Sequence, residues 1–136
     1  MSAIQNTAYA LIQVAHNLGA VAAAGGSLAA LKFRGQDTRS GLARLVLAGL
    51  ATQGLSGAAF GAVSYHFYGR FPDISGIAVD ALEIKIACVV IGCLLLTGYV
   101  FLEKKWSLAT INACWIATTA LTFTALCSAA FLRWFS

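Results

Sequence analysis

Residues 84–105 read IKIACVVIGCLLLTGYVFLEKK, a run of 19 residues with one charge, Lys85, before it closes on Glu103, Lys104 and Lys105. A helix needs about 20 apolar residues to cross the hydrocarbon layer of a bilayer, so this stretch predicts a membrane span with a charged stop at its end. The same reading extends outward. A fourth run covers about 108–131, with Trp106 and Trp134 marking its ends as interfacial aromatics do. Towards the N-terminus, a run at about 45–68 ends in Tyr65, Phe67, Tyr68 and Phe71, and Pro72 marks a turn. The first run, about 7–31, stops at Lys32 and Arg34, where a polar stretch through Arg39 and Arg44 reads as a short basic loop.

Composition agrees with four spans and little else. Of 136 residues, 60% are hydrophobic and 10% charged, against roughly 25% charged in an ordinary soluble domain. At about 20 residues per span plus short loops, four helices fit and six do not. The expected fold is an all-α integral membrane four-helix bundle, one domain over residues 1–136 with no soluble part. The net charge is +4, but the charges sit at the ends of apolar runs and form no stripe that could follow a phosphate backbone, which excludes nucleic acid as a partner.

Charge placement also predicts orientation. Lys32, Arg34, Arg39, Arg44, Lys104 and Lys105 fall on one side, six in all, against Arg70, Lys85 and Arg133 on the other. The positive-inside rule then places both termini outside the cytoplasm, in a bacterial inner membrane. A cleaved signal peptide is the rival reading of the first run, but Met1 to Gln13 carries no basic residue, and His16 and Asn17 interrupt the apolar core.

Polar residues inside spans are where function is sought, because each needs a partner. Gln13, His16 and Asn17 are spaced i, i+3, i+4, which predicts one shared face of the first helix, turned into protein. A neutral histidine there can ligate haem iron or copper through one ring nitrogen while the other is held by a hydrogen bond. The plainer reading is an interhelical hydrogen bond to Gln53 or Ser56. His66, the other histidine, lies near the outer end of the second run. At 1.5 Å per residue it is offset from His16 by on the order of 10 Å, which disfavours a shared bis-histidyl haem. Lys85 opens the third run and is read first as snorkelling to the outer interface, with pairing to an anionic ligand as the alternative.

Cys88, Cys93, Cys114 and Cys127 include no C-x-x-C pair, so they read as small buried apolar side chains and not as a thiol-exchange centre. Gly57 and Gly61 stand in G-x-x-x-G spacing, read as tight packing inside the chain's own bundle ahead of a dimerisation face. The first, second and fourth runs carry no acidic residue, which disfavours a proton-coupled antiporter.

The run AHNLGAVAAAGGSLAAL, with His16 followed by Gly25 and Gly26, resembles the H-x-n-G-G helix of CopD-like and HemJ-like four-helix membrane proteins. The segment ALEIKIACVV, with Lys85, resembles their lysine-bearing helix. Together these cover about a quarter of the chain; the tryptophan usual before the glycine pair is replaced by Ala23 or Ala24, and the first helix lacks the arginine of HemJ-like chains. The resemblance implies that His16 is a haem b or copper ligand and that Lys85 binds the ligand's acidic groups.

Two expectations about function follow. In the first, the chain is a small subunit or accessory protein of a larger redox or respiratory membrane complex, surrounded by lipid and other integral membrane subunits, with no catalytic activity of its own. In the second, it is a haem-binding or copper-binding membrane protein with His16 as ligand and Lys85 beside it.

Overall fold

The computed structural model describes residues 3–135 and contains, in order, α1 (Ala3–Lys32), α2 (Gln36–Tyr68), α3 (Ile77–Leu102), a single 3-10 turn (Glu103–Lys105) and α4 (Leu108–Phe135). No strand occurs among the described residues. The shortest of the four helices has 26 residues, about 39 Å at 1.5 Å per residue, against about 30 Å of hydrocarbon. All four are long and apolar enough to cross a membrane.

The helices extend beyond the apolar runs. The polar stretch after Lys32, expected as a loop as far as Arg44, is already helical from Gln36, so the connection is only residues 33–35. Asp37 in the first turn of α2 suits the positive end of the helix dipole. As a result Arg39 is not a loop residue. It is buried, 2% exposed, and its Nε donates to the Ala30 carbonyl at 3.1 Å, tying the start of α2 to the end of α1. At the opposite end α2 stops at Gly69, whose φ of 66° needs a residue without a Cβ and whose N–H caps the Tyr65 carbonyl.

The short connections make α1–α2 and α3–α4 two antiparallel hairpins, with α2 against α3 and α1 against α4. Small residues set how closely the first hairpin packs. A Cβ on Gly49 would lie 2.8 Å from the Ala23 nitrogen and the Gly19 carbonyl oxygen, and one on Gly19 would lie 2.9 Å from the Gly49 carbonyl oxygen. These two glycines let the backbones touch. The second hairpin is held at its basic end by Tyr99, whose ring meets Trp115 edge-on at 5.4 Å and Trp106 at 6.0 Å. The hairpins join where Leu50 packs over Gly92 and where the Ser27 and Thr122 hydroxyls meet at 3.0 Å.

The bundle is apolar on the outside and small or polar on the inside. Leu55, Val21 and Leu94 are 74%, 71% and 68% exposed, while Ala30, Ala43, Ser27 and Thr118 are fully enclosed. That inversion suits a solvent as apolar as leucine, in which helices associate through close contact of small residues and hydrogen bonds. The G-x-x-x-G pair of α2 does not follow its expectation. Gly57 is exposed with nothing within 4 Å of its would-be Cβ, and Gly61 faces only Phe71, so close packing belongs to Gly19, Gly26, Gly49 and Gly92.

Candidate functional site

Three helices bring His16, Ser56 and Lys85 together. The Ser56 hydroxyl donates to the Thr52 carbonyl one turn back, so its oxygen is left to accept. His16 Nδ1 lies 2.7 Å from that oxygen, which assigns the ring proton to Nδ1 and the lone pair to Nε2. Lys85 Nζ is 2.8 Å from Nε2 and donates to it. The order Lys85 to His16 to Ser56 to Thr52 is therefore a directed chain of hydrogen bonds across α3, α1 and α2. Gln53 adds a second tie from α2, its Nε2 donating to the His16 carbonyl. Phe60 closes one side of the imidazole edge-on at 5.9 Å and in turn stacks on Tyr9 at 6.1 Å.

Lys85 corrects the first expectation for it. It does not snorkel to the interface: it is 9% exposed and turned into the bundle, eight residues along α3, because the imidazole lone pair supplies an acceptor there. Gln13 and Asn17 correct another. They were expected to share the inward face with His16, but both are exposed on the outside of α1, where Gln13 Nε2 donates to Asn17 Oδ1 at 2.8 Å.

The other singled-out residues do not join the cluster. His66 is exposed at the end of α2 with its ring edge-on to Phe67. Cys88 and Cys114 are buried and Cys93 half-buried, but Cys127 is exposed; all four are free thiols. Gly25 faces open space and Gly26 faces Val46, so neither glycine lies against the imidazole.

The arrangement does not fit a haem iron or a copper ion as it stands. Both ring nitrogens of His16 are engaged by the protein, and a metal on Nε2 would need the lone pair that Lys85 occupies. No group of three His, Cys, Asp or Glu side chains able to hold a metal occurs among the described residues.

A second polar cluster lies at the basic end, and no spacing in the chain marks it, because its members come from two helices far apart in sequence. Ser40 donates to the Glu103 carboxylate at 2.8 Å, beside the buried Arg39. Tyr99, one turn before Glu103, is fully enclosed.

The fold and the site define a four-helix bundle, each helix long and apolar enough to cross a membrane, with a buried His–Lys–Ser hydrogen-bond chain. No protein-family model, no curated protein and no solved structure matches the chain.

Proposed function

We propose that this protein is a small integral membrane subunit that works inside a larger membrane assembly, a redox one on the strength of its resemblance, and performs little chemistry of its own. The observation that supports this reading is the Gln13–Asn17 pair. Both amides sit in the middle third of α1, on its outward face, and after their mutual bond Gln13 Oε1 and Asn17 Nδ2 have no hydrogen bond within the described residues. In hydrocarbon each such group costs several kcal/mol if it stays unsatisfied. A neighbouring helix that offers a hydroxyl or amide at that depth removes the cost, and each such bond contributes about 0.6 to 2 kcal/mol to the association.

The expected result is that the native chain, extracted in mild detergent, migrates with larger companions, and that Gln13→Leu with Asn17→Leu releases it as a single chain. A control change on the same helix, Val14→Leu, leaves the migration unchanged. Migration of the native chain as a monomer or a simple homodimer defeats the proposal.

The second reading, haem b or copper at His16, has in its favour that the two residues implied by the resemblance meet in space. It requires Lys85 to leave Nε2. Its signature in the same preparation is a Soret band, or bound copper, that His16→Ala removes; a spectrum without haem and a preparation without copper dismiss it.

We further place the protein in a bacterial cytoplasmic membrane with both termini outside. Support comes from the basic end of the bundle, where the α1–α2 and α3–α4 connections bring together six of the nine Lys and Arg residues. A reporter fused after Ser136 is expected to read as non-cytoplasmic, and a cytoplasmic signal reverses the assignment.

A further inference from the structure

Between α2 and α3 an apolar groove of about 460 Å³ opens on the outside of the bundle. It is deep because Ala51 and Gly54 of α2 and Cys93 of α3 are small, and the exposed side chains of Leu55, Val90 and Leu94 flank it. Its volume lies in the range of sites that hold a small molecule, about 300–1,000 Å³. No side-chain nitrogen or oxygen lines it, so an occupant is held there by apolar contact alone.

The same seam also carries a cation. Arg44 precedes Ala51 by seven residues, two turns of α2, and so stands within about 20° of it on one helix face. Arg39 is enclosed and donates to the Ala30 carbonyl, whereas Arg44 is exposed and makes no hydrogen bond or ion pair among the described residues. Exposed Lys104 and Lys105 follow the last turn of α3 at the same end. Of the acids there, Glu103 is held by Ser40, and Asp37 stands two turns of α2 away from Arg44. Length agrees with charge. From Arg44 to Leu55 the seam rises about 16 Å, against about 15 Å for one leaflet's half of the hydrocarbon layer. A free cation at one end and an apolar groove that reaches the midplane match the phosphate and the acyl chain of a lipid in one leaflet.

We propose that the α2–α3 groove binds one anionic phospholipid of the leaflet at the basic end, its phosphate on Arg44 and an acyl chain along Ala51, Gly54 and Cys93. A guanidinium offers a phosphate two parallel donors, which fixes the head in one orientation above the groove. The chain then lies across the junction of the two hairpins, since α2 belongs to one and α3 to the other. The inference rests on the membrane placement proposed above. It does not rest on the assembly, whose contact face is Gln13 and Asn17 on α1.

Photolabelling locates the lipid directly. The full chain is placed in phosphatidylcholine vesicles with a trace of phosphatidylglycerol or of phosphatidylcholine that carries a diazirine near the end of one acyl chain, and the labelled residues are found by mass spectrometry. Residues 51–55 and 89–94 are expected to take about fivefold more label from phosphatidylglycerol, the effect of one cation on an anionic lipid. The outward face of α4 at Ile116 takes the same from both. Arg44→Gln removes the preference, Arg44→Lys keeps part of it, and Ala51→Phe, which fills the groove, lowers labelling there by both lipids. Equal labelling of the groove by the two lipids overturns the proposal, and so does a preference that Arg44→Gln leaves intact. A groove that neither lipid labels while Ile116 is labelled is covered by another helix, which also overturns it. Label at neither place defeats the membrane placement and this proposal with it. If Arg44→Gln does not insert, the fall in phosphatidylglycerol label in Ala51→Phe, with none at Ile116, decides the matter.

Discussion

Gly49→Leu is expected to separate α1 from α2 and to leave a chain that no longer gives a cooperative thermal transition in detergent. At Gly49 even the first carbon of a side chain meets backbone at 2.8 Å on two sides, the Ala23 nitrogen and the Gly19 oxygen, and backbone cannot swing aside as a flexible side chain can. Overpacking a rigid contact costs about 1–3 kcal/mol and sometimes more, and here the whole hairpin must part to admit the side chain. The separation also removes the ties that cross the same interface, His16 to Ser56 and Gln53 to the His16 carbonyl. Gly57→Leu is the matching control. Nothing lies within 4 Å of its added carbon, so the isolated bundle should melt as before. Equal losses in the two variants would contradict the packing described for α1 and α2.

The second large effect concerns the buried chain of hydrogen bonds. His16→Leu leaves the Lys85 amino group enclosed without its acceptor, and an unsatisfied buried donor costs about 1–3 kcal/mol, more when charged. Lys85→Met in the same background removes the stranded group while keeping a side chain of similar length. The double variant is therefore expected to recover most of the stability lost in His16→Leu, the non-additivity that marks two groups acting on each other. Chemical unfolding in mixed detergent micelles measures all four members of the cycle. Simple addition of the two losses would mean that the contact contributes nothing to the fold.

The candidate site was partly legible before the structure. His16 and Lys85 stood out because a polar side chain in a long apolar run is costly wherever it is, and that cost can be read residue by residue. Ser56 and Gln53 could be named as partners because they are the polar side chains at the matching depth of the second run. The direct meeting of His16 with Lys85 was hidden. It joins α1 to α3, helices that are not neighbours in sequence, and the position of Lys85 near the start of its apolar run suggested the interface instead.

The sequence by itself determined the number of helices and that each is long and apolar enough to cross a membrane, since hydropathy and length belong to each segment alone and need no knowledge of its neighbours. It also marked which end is basic. Helix ends were less certain, because polar residues such as Gln36 to Ser40 can continue a helix beyond the hydrocarbon when packing rewards it, as the enclosure of Arg39 does. Only the tertiary structure decided which way each polar side chain points. Gln13 and Asn17 lie about 40° apart around α1, and His16 lies about 60° and 100° from them, so three residues that look like one face in the sequence straddle the line between bundle and surroundings. Where that line falls is set by the contact of Gly19 with Gly49, which turns His16 toward α2 and leaves the two amides outside.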